Sequence, residues 1–119
     1  MADVTQMIQA GLIGEALDDG PALIFIADDR MRYVAVNKLA AETLGYAREE
    51  LLELAVTDVV RTEEAPDEYR EMMVQGARVG RATLTRKDGS TVAFGYRAAR
   101  ATIAKLEFWV SVGFVDEDC

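Results

Sequence analysis

The chain has 119 residues, half of them hydrophobic and 29% charged, which suits one compact domain with a single core. Its net charge of -8 argues against direct contact with nucleic acid, which needs clustered Lys and Arg. With no histidine and one cysteine, Cys119, the sequence excludes a Ser-His-Asp triad, a histidine general base, a histidine ligand to metal or haem, an internal disulfide and a thiolate zinc cluster.

No apolar run reaches the roughly 18–20 residues of a membrane helix. The N-terminus lacks a basic stretch leading into an apolar one, so no signal peptide is expected and the expected compartment is the cytoplasm. No nucleophile stands beside a base in the sequence, so no catalytic residue is assigned and no enzyme is expected.

Asp3 to Leu17 is expected to form an amphipathic helix, with Val4, Met7, Ile8, Leu12, Ala16 and Leu17 at helical spacing on one broad face. Asp3 and Gln6 resemble a capping box, and Gly20-Pro21 ends the segment. Ala22–Asp28 and Arg32–Val36 are short, apolar and bounded by polar turns, as strands are. Asn37 can cap a helix from Lys38 to Leu44 that stops at Gly45. A second short helix covers Arg48–Leu54, followed by an apolar link from Val56 to Val60. A helix beginning near Pro66 is expected to run to about Val79, with Tyr69, Met72 and Met73 on its apolar side. The acids Glu63, Glu64, Asp67 and Glu68 fit a solvated helix start better than a metal site.

Arg81–Arg86 and Ser90–Thr102 flank Lys87-Asp88-Gly89, a hairpin signature. Ile103 to Leu106 is expected to turn, and Glu107–Val115 to form the last strand. Two hairpins separated by helical segments make an α+β domain, with one antiparallel sheet and helices on one face.

Several of these segments, taken together, resemble the PAS family. They are Tyr33-Val34-Ala35-Val36-Asn37, Ala40-Ala41, Leu44-Gly45-Tyr46, Glu49-Glu50-Leu51-Leu52 and Lys87-Asp88-Gly89-Ser90. The resemblance covers roughly Ala22 to Asp116. It implies a five-stranded antiparallel sheet cupped by short helices, with a cavity between sheet and helices; the chain is expected to divide into an N-terminal amphipathic helix over residues 1–20 and a PAS domain over 21–119. Two places depart from the family pattern. Glu53 stands where Gly is common, and a turn that usually carries Asp-Gly reads Asp29-Arg30-Met31.

Such a resemblance implies a sensory or regulatory role in signal transduction, but it does not settle what is sensed. The cofactor is unknown. The flavin-adduct and cysteine-linked chromophore types need a mid-chain cysteine, the common haem type needs a histidine, and this chain has neither. The family alignment would turn Phe25, Ala27, Phe94, Tyr96, Trp109, Ser111 and Gly113 towards the helices. With Asn37, these are the candidate ligand-binding residues. They would either frame an apolar pocket for a small apolar ligand or pack into a closed core.

Strand alternation puts Ile24, Ile26, Phe108, Val110, Val112 and Phe114 on the other sheet face. Burying six such side chains is worth on the order of 10 kcal/mol before entropy is charged. A patch of that size needs a cover. The N-terminal helix, through Val4, Ile8 and Leu12, is the expected cover of its own sheet or of a partner's. The expected partner is therefore a second copy of the chain, in a homodimer. An output domain or partner regulator and a small apolar ligand are the further partners considered. Nucleic acid and membrane are not expected. The competing reading is a ligand-free protein–protein interaction module.

Overall fold

The computed structural model describes residues 4–60 and 77–115. Within them the order is α1 (Val4–Asp18), β1 (Leu23–Ala27), β2 (Tyr33–Val36), α2 (Lys38–Leu44), α3 (Arg48–Leu51), α4 (Val56–Val59), β3 (Ala77–Thr85), β4 (Thr91–Ile103) and β5 (Leu106–Val115). The strands form one antiparallel sheet in the order β2-β1-β5-β4-β3. The first strand therefore pairs with the last, and the two hairpins close into one surface.

The register sorts the side chains. Leu23, Phe25 and Ala27 face Gly113, Ser111 and Trp109 across the β1–β5 ladder. Phe94, Tyr96 and Ala98 lie on the same side. That side carries the core, with Leu44, Leu51 and Val59 from the short helices fully buried against it. Phe108 and Trp109 fall on opposite sides, as alternation requires.

Short helices need help at their ends, because four N–H groups at each start have no partner in the helix. In α3 and α4 a carboxylate three residues into the helix reaches back. Glu50 Oε1 accepts from Ala47 N–H at 2.9 Å and Asp58 Oδ2 from Ala55 N–H at 2.8 Å. Helix α2 starts at Asn37 and ends at Gly45, whose φ of 77° is the left-handed conformation glycine adopts most readily. Lys87 then ties the β3–β4 turn to this layer. Its Nζ sits 2.7 Å from Glu50 Oε2, and its N–H donates to the Leu44 carbonyl at 2.9 Å.

Asn37 does more than cap α2. Its Oδ1 accepts from Ala40 N–H and from Ile24 N–H, both at 3.1 Å. Its Nδ2 donates to the Leu17 carbonyl at 2.7 Å and to the Ala22 carbonyl at 2.8 Å. One buried amide thus joins the end of α1, the start of β1 and the first turn of α2. Lys38–Asp19 at 2.6 Å and Arg48–Asp18 at 3.0 Å add surface ion pairs across the same junction. Such exposed pairs contribute little individually.

Four expectations change. Residues 77–79, expected at the end of a helix, open strand β3; the rest of that helix, with Met72, Met73 and the acidic cluster, lies outside the described residues. The apolar link at Val56–Val60 is the turn of helix α4. Helix α1 forms, but at about 100° per residue Ile8 and Leu12 lie on one side of it and Ile13 and Leu17 on the other. All four are exposed, so Leu17 does not share a face with Ile8. Finally, Ile24 is buried and Ile26, Phe108 and Val110 are half-buried, so the open part of the outer sheet face is narrower than expected.

Replacing Asn37 removes one helix cap and leaves the buried Ile24 N–H without its acceptor. Asn37→Ala is expected to cost about 2–4 kcal/mol in urea unfolding. Asn37→Asp keeps the acceptor but turns a buried carboxylate oxygen towards the Leu17 and Ala22 carbonyls, so it too should lower the unfolding midpoint.

Candidate functional site

The inner sheet face does not pack solid. Between it and the helices lies a cavity in which the space open to the centre of a water molecule is about 50 Å³. β1 contributes Phe25 and Ala27, β2 Tyr33, β4 Phe94, Tyr96 and Ala98, and β5 Trp109 and Ser111. Ala82 and Leu84 from β3, Val56 and Val60 from α4 and its end, and Met31 from the β1–β2 turn also line it.

Aromatic rings set its shape. Phe25 lies 5.6 Å from Tyr33 and 5.6 Å from Phe94, the latter edge to face, and Phe94 stacks on Tyr96 at 5.7 Å. Ala27, Ala82 and Ala98 leave the gaps between them, because a methyl cannot fill what a larger side chain would. The space holds a few waters by volume. Among the described residues the wall is mostly apolar, and Tyr33, Tyr96, Ser111 and Trp109 are the lining residues with polar side-chain groups.

Burial is the main cause that pushes the Tyr33 phenol well above its ordinary pKa, and the negative charge of Asp58 adds to it. Neutral Tyr33 is therefore a hydrogen-bonding group rather than a base. Arg100 lies 5.3 Å over the ring of Trp109 and 3.9 Å from Glu107, which places a cation at the far end of the same wall.

Of the eight residues expected to meet a ligand, six line the cavity: Phe25, Ala27, Phe94, Tyr96, Trp109 and Ser111. Asn37 does not. Both its amide atoms are held by backbone, so it has no free group to offer. Gly113 does not either. A Cβ there would run into the Gly95 carbonyl and come within 2.8 Å of the Phe94 ring, so its role is to let β4 and β5 approach. Sequence reasoning missed Met31, Tyr33, Val56, Val60, Ala82 and Leu84. Tyr33 carried no such signal: counting alternate residues back from Val36 points it outward, and the irregularity between Ile26 and Ala27 brings it opposite Ala27 on the inner side.

The chain is thus an α+β domain with a five-stranded antiparallel sheet in the order 2-1-5-4-3, cupped by short helices over an apolar cavity. A family model described as "PAS domain" matches residues 21–116, and the chain belongs to that family. Its fold is similar to a PAS domain from a two-component sensor histidine kinase (13% identity, TM-score 0.81, covering 92% of this chain and 98% of that one). It is also similar to the PAS domain of an HTR-like protein from Haloarcula marismortui (17%, 0.81, 92% and 93%). A third is the PAS domain of nitrogen regulation protein NR(II) from Vibrio parahaemolyticus (13%, 0.75, 88% and 98%). A search of curated proteins gives no match.

Because Tyr33 is held neutral in the folded state, its contribution to stability is complete below the unfolded pKa near 10. It is lost as pH rises beyond that value. Phenolate absorbance should therefore show Tyr33 ionising only as the protein unfolds, and Tyr33→Phe should remove that step and the matching loss of stability.

Proposed function

We propose that this chain is a regulatory sensory domain that works by associating with a second copy of itself. The association surface consists of the outer sheet face and α1. The observation that carries this reading is exposed apolar surface in two places. On the outer sheet face Val79 is 74% exposed, Phe114 59% and Val112 36%. On α1, Ile8, Leu12, Ile13 and Leu17 all face solvent. The β3–β4 and β4–β5 registers place Val79, Arg97 and Val112 in one row across the sheet.

A helix that is apolar on more than one side is stable when it is covered. A second copy supplies both covers at once, a sheet for one side of α1 and another α1 for the other. The sensory part of the reading draws on family membership and on relatives such as the sensor histidine kinase domain. No catalytic role is assigned: the absence of histidine removes histidine-based acid–base chemistry.

A second reading concerns the input. The apolar cavity, with three hydroxyls on its wall, favours a small apolar molecule as the signal. Binding would bias the domain only by differing in affinity between its associated and free forms. The ligand-free interaction module is the alternative, and the modest size of the cavity speaks for it.

Val112→Glu puts a charge on the outer sheet face, and in analytical ultracentrifugation it should convert dimer to monomer. Lys105→Glu, at the tip of the β4–β5 hairpin, should leave the dimer as it was. A dimer that survives Val112→Glu unchanged removes this face from the proposal.

A further inference from the structure

Met31 stands apart from the rest of the cavity wall. It sits in the tight turn between β1 and β2, not in a strand or helix. Its φ is 61°, a left-handed conformation that residues with a side chain rarely adopt. The turn around it is held from several directions. Asp28 Oδ1 accepts from Arg30 N–H at 2.9 Å and from Arg32 N–H at 3.0 Å. The Asp28 carbonyl accepts from Met31 N–H at 3.0 Å, and the Met31 carbonyl accepts from Val56 N–H at 2.7 Å. A conformation this disfavoured persists only where the surroundings over-determine it, and such places gather at ligand clamps and switches.

These bonds hold the backbone of the turn and leave the Met31 side chain outside them. Met31 is half-buried, so it borders both the cavity and solvent. It packs against the main core and also against the separate Ala98–Trp109 cluster, and so lies across the seam between them. Methionine is unbranched and soft, and it re-packs at less cost than Phe25, Tyr33 or Leu84 around it. We infer that Met31 is the movable closure of the cavity: its thioether fills the entrance when the cavity is empty and swings aside to admit a flat apolar molecule. The turn positions the side chain and need not move. The hydrogen bond from Val56 N–H ties the same residue to α4, so the first element to feel an occupant is that helix. This inference rests on the second reading above, in which the cavity takes an apolar molecule.

The test uses indole as the probe. Met31→Gly removes the closure and also suits the left-handed backbone, whereas Met31→Leu keeps the entrance filled. By isothermal titration, Met31→Gly should bind indole at least about tenfold more tightly than the parent chain, and Met31→Leu should show no gain. In the parent chain labelled on its methionine methyl groups, the Met31 signal, assigned by its loss in Met31→Leu, should shift as indole is added. Equal or weaker binding by a folded Met31→Gly overturns the inference. If Met31→Gly does not fold, a Met31 methyl signal that stays still while indole is added to the parent chain overturns it equally. Tight indole binding by Met31→Gly with no change in self-association would leave the closure standing and count against ligand-driven signalling instead.

Discussion

The structure depends on one buried amide. Asn37 is 5% exposed, and its side chain bonds to the backbone of α1, β1 and α2 through four hydrogen bonds. A buried polar group is costly unless it is paired, and a fully paired one fixes geometry in a way apolar packing cannot. Because the amide links three elements, the end of α1 cannot shift against the sheet without breaking a bond at Asn37. The start of α2, the start of β1 and the end of α1 are tied together at this residue, while the β1–β5 ladder places β1 in the sheet. The apolar cup then follows from the alternation of β1, β4 and β5.

Much of this was legible in the sequence, for reasons that differ from element to element. In β5 the run from Glu107 to Val115 alternates around Trp109, Ser111 and Gly113, and its length leaves a strand as the natural outcome. Asn37, Gly45 and Lys87-Asp88-Gly89 are punctuation with a backbone mechanism, and they fell where the caps and turn are. The start of β3 was not legible. Residues 77–80 read Ala-Arg-Val-Gly, which carries no period, and their conformation comes from pairing with Tyr96 to Ala99 far along the chain. Helix α4 is a single turn, too short for any periodicity; its one mark is Asp58, placed to reach back to the Ala55 N–H.

Within the site, alternation sorted the residues of β1, β4 and β5 correctly, but it says nothing about residues in turns or about atoms already engaged. Asn37 looked like a polar anchor for a ligand because its type fits that task. Only the three-dimensional structure shows its donors and acceptors spent on backbone. Gly113 looked like open space on the inner face, and the space is taken by the neighbouring strand. Met31 looked merely like a missing glycine. Its left-handed backbone puts a flexible side chain where the family pattern would leave a gap. The two-sided greasiness of α1 is likewise a matter of angle, visible once Ile13 and Leu17 are set against Ile8 and Leu12.

Trp109 is the sole tryptophan of the chain, and it lies buried on the cavity wall with the Arg100 guanidinium over its ring. An indole held between a cation and an apolar hollow emits according to both. Its intrinsic fluorescence therefore comes from a single place, free of background from any other tryptophan. The domain carries its own optical gauge of what enters the cup, and no dye or tag has to be attached to read it.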